Sequence, residues 1–393
     1  MVKDVLDLGM QPIANAFIDK NDIEKESFYN LVATYDTDTY HFSQKNIVNP
    51  SDMFNSNYAY FSSNSKPMVE HFRKTAELLQ KRNPKSVLEI GSNDGCFIKN
   101  FDIDTSVCVE PSSNLANLTG ILGYQTYNEF FALHLVETLL ENHGKFDLIY
   151  SANCICHIPS IDGVFESVSQ LLSDDGLFVF EDPSLLSMIQ NNSYDQIYDE
   201  HPHIFSILFI NEITSKYNLE IKKVDSLSVH GGSNRIYVGL KNGKNIDTSV
   251  KHNIYLEKKS GLHKLESILS FANNVYQSKK DLINLLTRIK EKNQKVLSYG
   301  ATSKSTTVFN YCGITSDLID CVSDTSDTKI GKLTPGSHIP IKSRNDVNLD
   351  EYDYIFLGAW NFKDYIIGNE RSWIENGGKL ITHVPMVKIL GDI

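Results

Sequence analysis

The chain has 393 residues, enough for two or three domains. Its 49 acidic and 37 basic side chains give a formal net charge of −12 with no basic tract, so neither nucleic acid nor an anionic membrane surface is an expected partner. At 41% hydrophobic and 22% charged it has a globular composition, and no apolar run approaches the roughly 20 residues that span a bilayer.

Residues 1–66 are rich in Asn, Asp, Ser and Tyr and show weak periodicity, which predicts an irregular region with few helices. Met68, Phe72, Ala76 and Leu79 then fall on one face, predicting a helix over 67–83. An α/β alternation follows. Strands are expected over 86–90, 106–109, 146–151 and 176–180, with helices over 113–120, 129–142 and 162–173. This order points to a parallel sheet with helices on both faces. Residues 184–215 interrupt it with aromatic and polar residues, and strand character returns over 229–240. The longest helical pattern runs over 260–291, suggesting a linker helix. A second α/β unit follows, with strands at 295–299, 318–322, 354–357 and 379–382 and a helix beginning at 306. The six cysteines form no Cys-x-x-Cys pair, and the N-terminus has no basic stretch leading into an apolar one. Reduced thiols in the cytoplasm are therefore expected.

The first strand runs into Glu89-Ile-Gly91-Ser92-Asn93-Asp-Gly95. Glycines there permit a tight turn and close approach of backbone to a ligand, and the following helix end offers free N–H groups. The spacing differs from the Gly-x-Gly-x-x-Gly of dinucleotide sites. Glu110, followed by Pro111, ends the second strand, where a carboxylate can accept both ribose hydroxyls of an adenosine. Together they point to S-adenosylmethionine, with Ser151 and Asn153 at the end of the fourth strand on its methionine side. His157 and the pair Cys154-x-Cys156 read more simply as packing than as chemistry or metal binding.

The interruption contains Tyr198-Asp-Glu200-His201-Pro-His203. A polar surface turn, a metal site and general-base chemistry all compete for this segment. In the last, His201 takes a proton near neutral pH and Glu200 orients it or stabilises its charge. Tyr58-Ala-Tyr60-Phe-Ser-Ser is a second polar-aromatic cluster, either oxyanion donors or packing under a lid.

The chain resembles the nucleotide-sugar C-methyltransferases that act next to the keto group of 4-keto deoxysugars. The resemblance rests on ordered pieces along nearly the whole length. They begin with Leu6-Asp-Leu-Gly-Met-Gln-Pro-Ile-Ala-Asn15, Tyr58-x-Tyr60, the Val87–Gly95 loop and Val109-Glu-Pro-Ser112. They continue with Ile197-Tyr-Asp-Glu-His201, His230-Gly-Gly-Ser-x-Arg235, Tyr299-Gly-Ala-x-x-Lys304, Asn310-Tyr-Cys-Gly313, Trp360-Asn-Phe362 and Gly377-Gly-Lys379. It implies a class I methyltransferase Rossmann-like core between a small N-terminal domain and a second, C-terminal α/β domain. The division expected is 1–66, 67–250 and 251–393, with a nucleotide-sugar substrate in the cleft. It makes His201 the base, with Tyr198, Glu200 and Tyr60 around the reacting centre. His230, Arg235, Lys304, Asn310, Trp360 and Asn361 would shape the sugar-nucleotide side. O- or N-methylation of a related sugar, and a non-catalytic cofactor- or sugar-nucleotide-binding protein, are the alternatives.

The chain departs from the family in one respect that chemistry decides. The family's N-terminal domain carries four zinc-binding cysteines, and here no cysteine precedes Cys96. No zinc is expected, Asp36, Asp38, His41 and Asp52 read as solvated loop residues, and the small domain must hold by packing. No oligomer interface is legible, and a monomer is compatible with every feature above.

Overall fold

The computed structural model describes residues 1–56 and 58–390. The N-terminal region is not irregular. β1 (Val2–Pro12), β2 (Phe28–Asp36) and β3 (His41–Gln44) form an antiparallel sheet, completed by β9 (His203–Ile204) from the interrupting segment. The strand pattern of β1 is hidden by register shifts between Asp4 and Leu6 and between Asp7 and Met10, which break the period of two.

The central sheet contains β4 (Val87–Ile90), β5 (Ser106–Val109), β6 (Gln125–Tyr127), β7 (Phe146–Ala152), β8 (Leu172–Pro183), β10 (Leu219–Leu227) and β11 (Ser233–Leu240). Their order is β10-β11-β8-β7-β4-β5-β6, parallel except for the last hairpin. The fully buried strands β4 and β5 are continuous apolar runs except at Glu89 and Ser106, as a sheet covered on both faces requires. The chain crosses from β5 and β6 on one side of β4 to β7 on the other. The crevice at that reversal is where open α/β sheets bind ligands. This is the class I methyltransferase arrangement expected from the alternation, with β6 and β10 added. The helix expected over 129–142 is shorter, Val136–His143 after a single 3₁₀ turn, and Val229–Gly231 is a turn before β11.

The C-terminal sheet, ordered β14-β13-β12-β15-β16-β17, consists of β12 (Val296–Tyr299), β13 (Cys321–Asp324), β14 (Ile341–Ser343), β15 (Tyr354–Leu357), β16 (Lys379–Thr382) and β17 (Lys388–Leu390). It too reverses about a central strand, β12, with β13 and β15 on either side. The helix Leu265–Glu291 packs one apolar stripe into a core shared with β1, β2 and this sheet, including Leu31, Tyr35, Phe42, Phe271, Leu282, Phe309 and Phe356. That shared core braces the N-terminal sheet by packing. Tyr35 adds a hydrogen bond from its buried hydroxyl to the Leu262 carbonyl. Asp36 and Asp38 are taken up by the N-terminal amine, whereas His41 is packed rather than solvated, its ring 4.0 Å from that of Phe209. All six cysteines are free, and among the described residues no helix is long and apolar enough to cross a membrane.

Candidate functional site

A cavity of about 690 Å³ opens between the three sheets, within the ~300–1,000 Å³ usual for ligand sites. One wall is the loop after β4. Gly91 sits at φ +70°, and a Cβ there would lie 2.5 Å from Cys154 Sγ, so glycine is required for the backbone to pass. Glu110 accepts hydrogen bonds from the backbone N–H of Asn93 at 2.8 Å and of Ser112 at 2.9 Å. Its burial raises the carboxyl pKa, and each oxygen keeps a lone pair for a ligand hydroxyl. Asn93, at φ +49°, clips the Tyr60 segment over the loop. Its side chain accepts from Ser62 N–H at 2.9 Å and donates to the Tyr60 carbonyl at 3.1 Å, and Asp94 accepts from Ser63 N–H at 2.9 Å.

Glu89, Gly91, Ser92, Asn93, Glu110, Pro111 and Asn153 line the cavity as expected. The Glu89 carboxylate is also structural, since it accepts from Ile98 N–H at 3.0 Å, and burial pushes it well above the usual range. Two expected cofactor residues are placed elsewhere. Gly95 turns the chain at φ +78°, where a Cβ would meet Leu122 and Thr119, and the Ser151 hydroxyl donates to the Ile90 carbonyl at 2.9 Å, tying β7 to β4.

Tyr198, Glu200 and His201, all buried, also line the cavity. The segment is neither a surface turn nor free. Gln44 donates to the carbonyls of Tyr198 and His201, the latter at 2.8 Å. His201 Nδ1 lies 2.7 Å from the Gln196 carbonyl, so Nδ1 carries the proton and Nε2 accepts from the Tyr198 hydroxyl at 2.9 Å. Burial, with His157 stacked at 5.1 Å, holds the imidazole pKa well below 6.5. Glu200 does not orient His201, contrary to expectation. Its carboxylate accepts from Asn15 at 2.6 Å and Tyr58 at 3.4 Å, and burial raises its pKa. Tyr60 lines the cavity and is 43% exposed.

Another wall comes from the C-terminal sheet. Lys304, in the first turn of the helix Ser303–Cys312, faces the cavity with its ammonium pKa lowered by burial. Asn361 lines it too, and His230 does so while approaching Asn153 at 3.3 Å. Three expected substrate residues are not at the cavity. Arg235 is locked to Glu181 at 2.7 Å and Thr75 at 2.6 Å beneath the sheet. Asn310 donates to the carbonyls of Thr306 and Pro335, at 2.9 and 3.0 Å. Trp360 donates to the buried Asp195 at 2.6 Å and lies over Gly231.

Sequence reasoning missed several cavity residues. Gln196 is fully buried and lines the cavity with both atoms of its amide unpartnered. His157, set down as packing, also lines it with Nε2 unpartnered. Lys329 faces it after donating to the Ala301 carbonyl at 2.8 Å. Gln196 and His157 adjoin segments already singled out; nothing in the Lys329 neighbourhood marks it.

A methyltransferase domain model matches residues 66–224, and a C-methyltransferase C-terminal domain model matches 228–385. The C-methyltransferase NovU of Streptomyces niveus is 29% identical over 395 residues, spanning 98% of this chain and 94% of its own. Among solved structures, an S-adenosylmethionine-dependent methyltransferase from Clostridium acetobutylicum aligns with 44% of this chain and 92% of its own, at 16% identity and a TM-score of 0.35. A possible histamine N-methyltransferase from Thermotoga maritima covers the same shares at 17% identity and a TM-score of 0.33.

Proposed function

Since the chain is an S-adenosylmethionine-dependent methyltransferase similar to the C-methyltransferases, we propose that it methylates a carbon next to the keto group of a nucleotide-linked sugar, with His201 as the base. The observation that carries this reading is the state of His201. Burial holds its pKa well below 6.5, the Gln196 carbonyl fixes it in one tautomer, and it lines the same cavity as the glycine loop.

The residues present fit the methyl donor. Gly91 lets the loop backbone pass tightly against Cys154 at the cavity wall, and Glu110 stands at the strand end with spare acceptor capacity for ribose hydroxyls. When bound, S-adenosylmethionine supplies an electrophilic methyl group on a sulfonium. The protein's own work is done on the acceptor. A keto group acidifies the adjacent C–H, and His201 Nε2 takes that proton once the Tyr198 hydroxyl turns away. The imidazolium formed keeps its Nδ1–H···O bond to Gln196. Tyrosine hydroxyls at the cavity, from Tyr198, Tyr58 and Tyr60, donate to the developing enolate oxygen, an interaction worth roughly 3–4 kcal/mol per well-placed donor. Lys304 and Lys329 bring positive charge to the side where a nucleotide's phosphates would lie. The clip of Asn93 on the Tyr60 segment shields the reaction from water.

The test is His201→Asn with an NDP-4-keto-deoxyhexose. Methyl transfer should fall by about 10²–10⁴, S-adenosylhomocysteine binding should be retained, and deuterium uptake from solvent next to the ketone should be lost. Full activity in His201→Asn, or a product with its methyl on oxygen or nitrogen, would remove the proposal.

A further inference from the structure

We propose that Cys156, His157 and His201 form a site for a soft divalent cation such as Zn²⁺, and that a cation held there stops the reaction by taking the nitrogen the base needs. One donor atom from each of these side chains lies within 4.8 Å of the other two. Cys156 and His157 come from the 3₁₀ turn after β7, and His201 from the segment facing it. One sulfur and two imidazole nitrogens form a set that suits zinc or copper rather than magnesium or calcium.

Two further observations point to a ligand. The His157 Nε2 is enclosed and has no hydrogen-bond partner, which is costly unless something binds it. His201 donates its Nδ1–H to a backbone carbonyl. That contact is the one that typically fixes the ring and tautomer of a metal-binding histidine. His157 and His201 line the cavity while Cys156 lies buried behind its wall, so a fourth ligand, water or an acceptor oxygen, would come from the cavity side.

Donors bound at about 2.0–2.3 Å to one tetrahedral ion stand roughly 3.3–3.8 Å apart, so the trio must contract by up to ~1.5 Å. Burial holds Cys156 as the thiol, with Asp182 beside it. Binding therefore exchanges the S–H bond for a sulfur–metal bond and releases one proton to solvent, with no change of oxidation state. At His201 the cation takes Nε2 and displaces the Tyr198 hydroxyl. The site is unrelated to the family's N-terminal zinc cysteines, none of which this chain has. Binding stands independently of the acceptor; only the inhibition rests on His201 being the base.

The experiment is titration of chelator-treated protein with Co²⁺, followed by displacement with Zn²⁺. One Co²⁺ per chain should appear with the visible bands of a tetrahedral set and a thiolate charge-transfer band. Cys156→Ser should lose the charge-transfer band and bind at least about tenfold more weakly, a loss typical even of a residue that only supports a ligand. His157→Asn should weaken binding while keeping that band, which covers the case where Cys156→Ser does not fold. S-adenosylhomocysteine calorimetry reports the fold of each variant. No stoichiometric binding, or a charge-transfer band that persists in Cys156→Ser, overturns the site. Zn²⁺ should inhibit methyl transfer by the wild type, and stoichiometric binding without inhibition overturns the second half. Absence of methyl transfer to any keto-sugar nucleotide would count against the function proposed above and leave the Co²⁺ result to decide the site alone.

Discussion

Replacing Gly91 with alanine should damage the cofactor site by an amount the structure allows to be divided. Two costs arise. At φ +70° an L-residue is held in the left-handed region, at roughly 1–2 kcal/mol. The new Cβ would also stand 2.5 Å from Cys154 Sγ and 2.8 Å from Cys154 Cβ, an overpacking of about 1–3 kcal/mol. The sum is about 2–5 kcal/mol, or roughly 30- to 5,000-fold in an equilibrium. Either the loop keeps its shape and the whole protein loses stability, or the loop relaxes and affinity falls. Thermal unfolding and S-adenosylhomocysteine calorimetry on Gly91→Ala measure both. The same substitution in a Cys154→Gly background should recover the steric part and retain the dihedral part, giving a coupling of about 1–3 kcal/mol. If Gly91→Ala changes neither stability nor affinity by more than ~0.5 kcal/mol, the loop is not the tight cradle described.

Asn93→Gly keeps the positive φ but removes the two side-chain bonds to the Tyr60 segment. At about 0.5–1.5 kcal/mol each, cofactor affinity should fall roughly 5- to 150-fold, and unchanged calorimetry would show that the clip is idle. His201 must be neutral to act, and its pKa is lowered well below 6.5. The rate should therefore stay level as pH falls from 8 to 6.5 and decline only below that; an acid limb centred above 6.5 would contradict the assignment. Tyr35→Phe strands the buried Leu262 carbonyl and should destabilise the fold by about 1–3 kcal/mol in denaturant unfolding. In Cys156→Ser, which lacks the sulfur of the cation site proposed above, a chelator should leave the melting temperature unchanged, because the N-terminal sheet is braced by packing; a fall would mean that a metal supports that sheet.

How much of this was legible in the sequence depends on whether the signal is local. The strands β4, β5 and β15 are short apolar runs bounded by glycine or charge, and the helix Leu265–Glu291 repeats its apolar residues for 27 residues. These patterns state their own structure. The strand β1 does not, because its bulges shift the inward face twice. The strand β10 is equally obscured, with lysines at 222 and 223 and a register shift between Ile221 and Lys223. At the site, Gly91 and Glu110 were legible because spacing along one βαβ unit fixes them. Lys329 and Gln196 were not, since distant segments bring them to the cavity. Arg235, Asn310 and Trp360 are substrate contacts only by what the family resemblance implies. Each instead satisfies a buried partner, Glu181, the Pro335 carbonyl and Asp195 respectively, and such pairing is invisible until the chain is folded.

The strand β9 has a consequence for how the molecule is made. It is the fourth member of a sheet whose other three strands end at Gln44, and His41 meets His203 across 162 residues of chain. During synthesis the first three strands emerge early with one edge open, and an open edge invites pairing with other chains. They wait for five of the seven strands of the central sheet before the closing strand arrives. That strand's two residues directly follow His201-Pro202, so the edge is sealed by the same event that seats the histidine. A chain that has protected its N-terminal edge has thereby also assembled this wall of its cavity, and protease resistance of the first 45 residues should appear together with ligand binding, never before it.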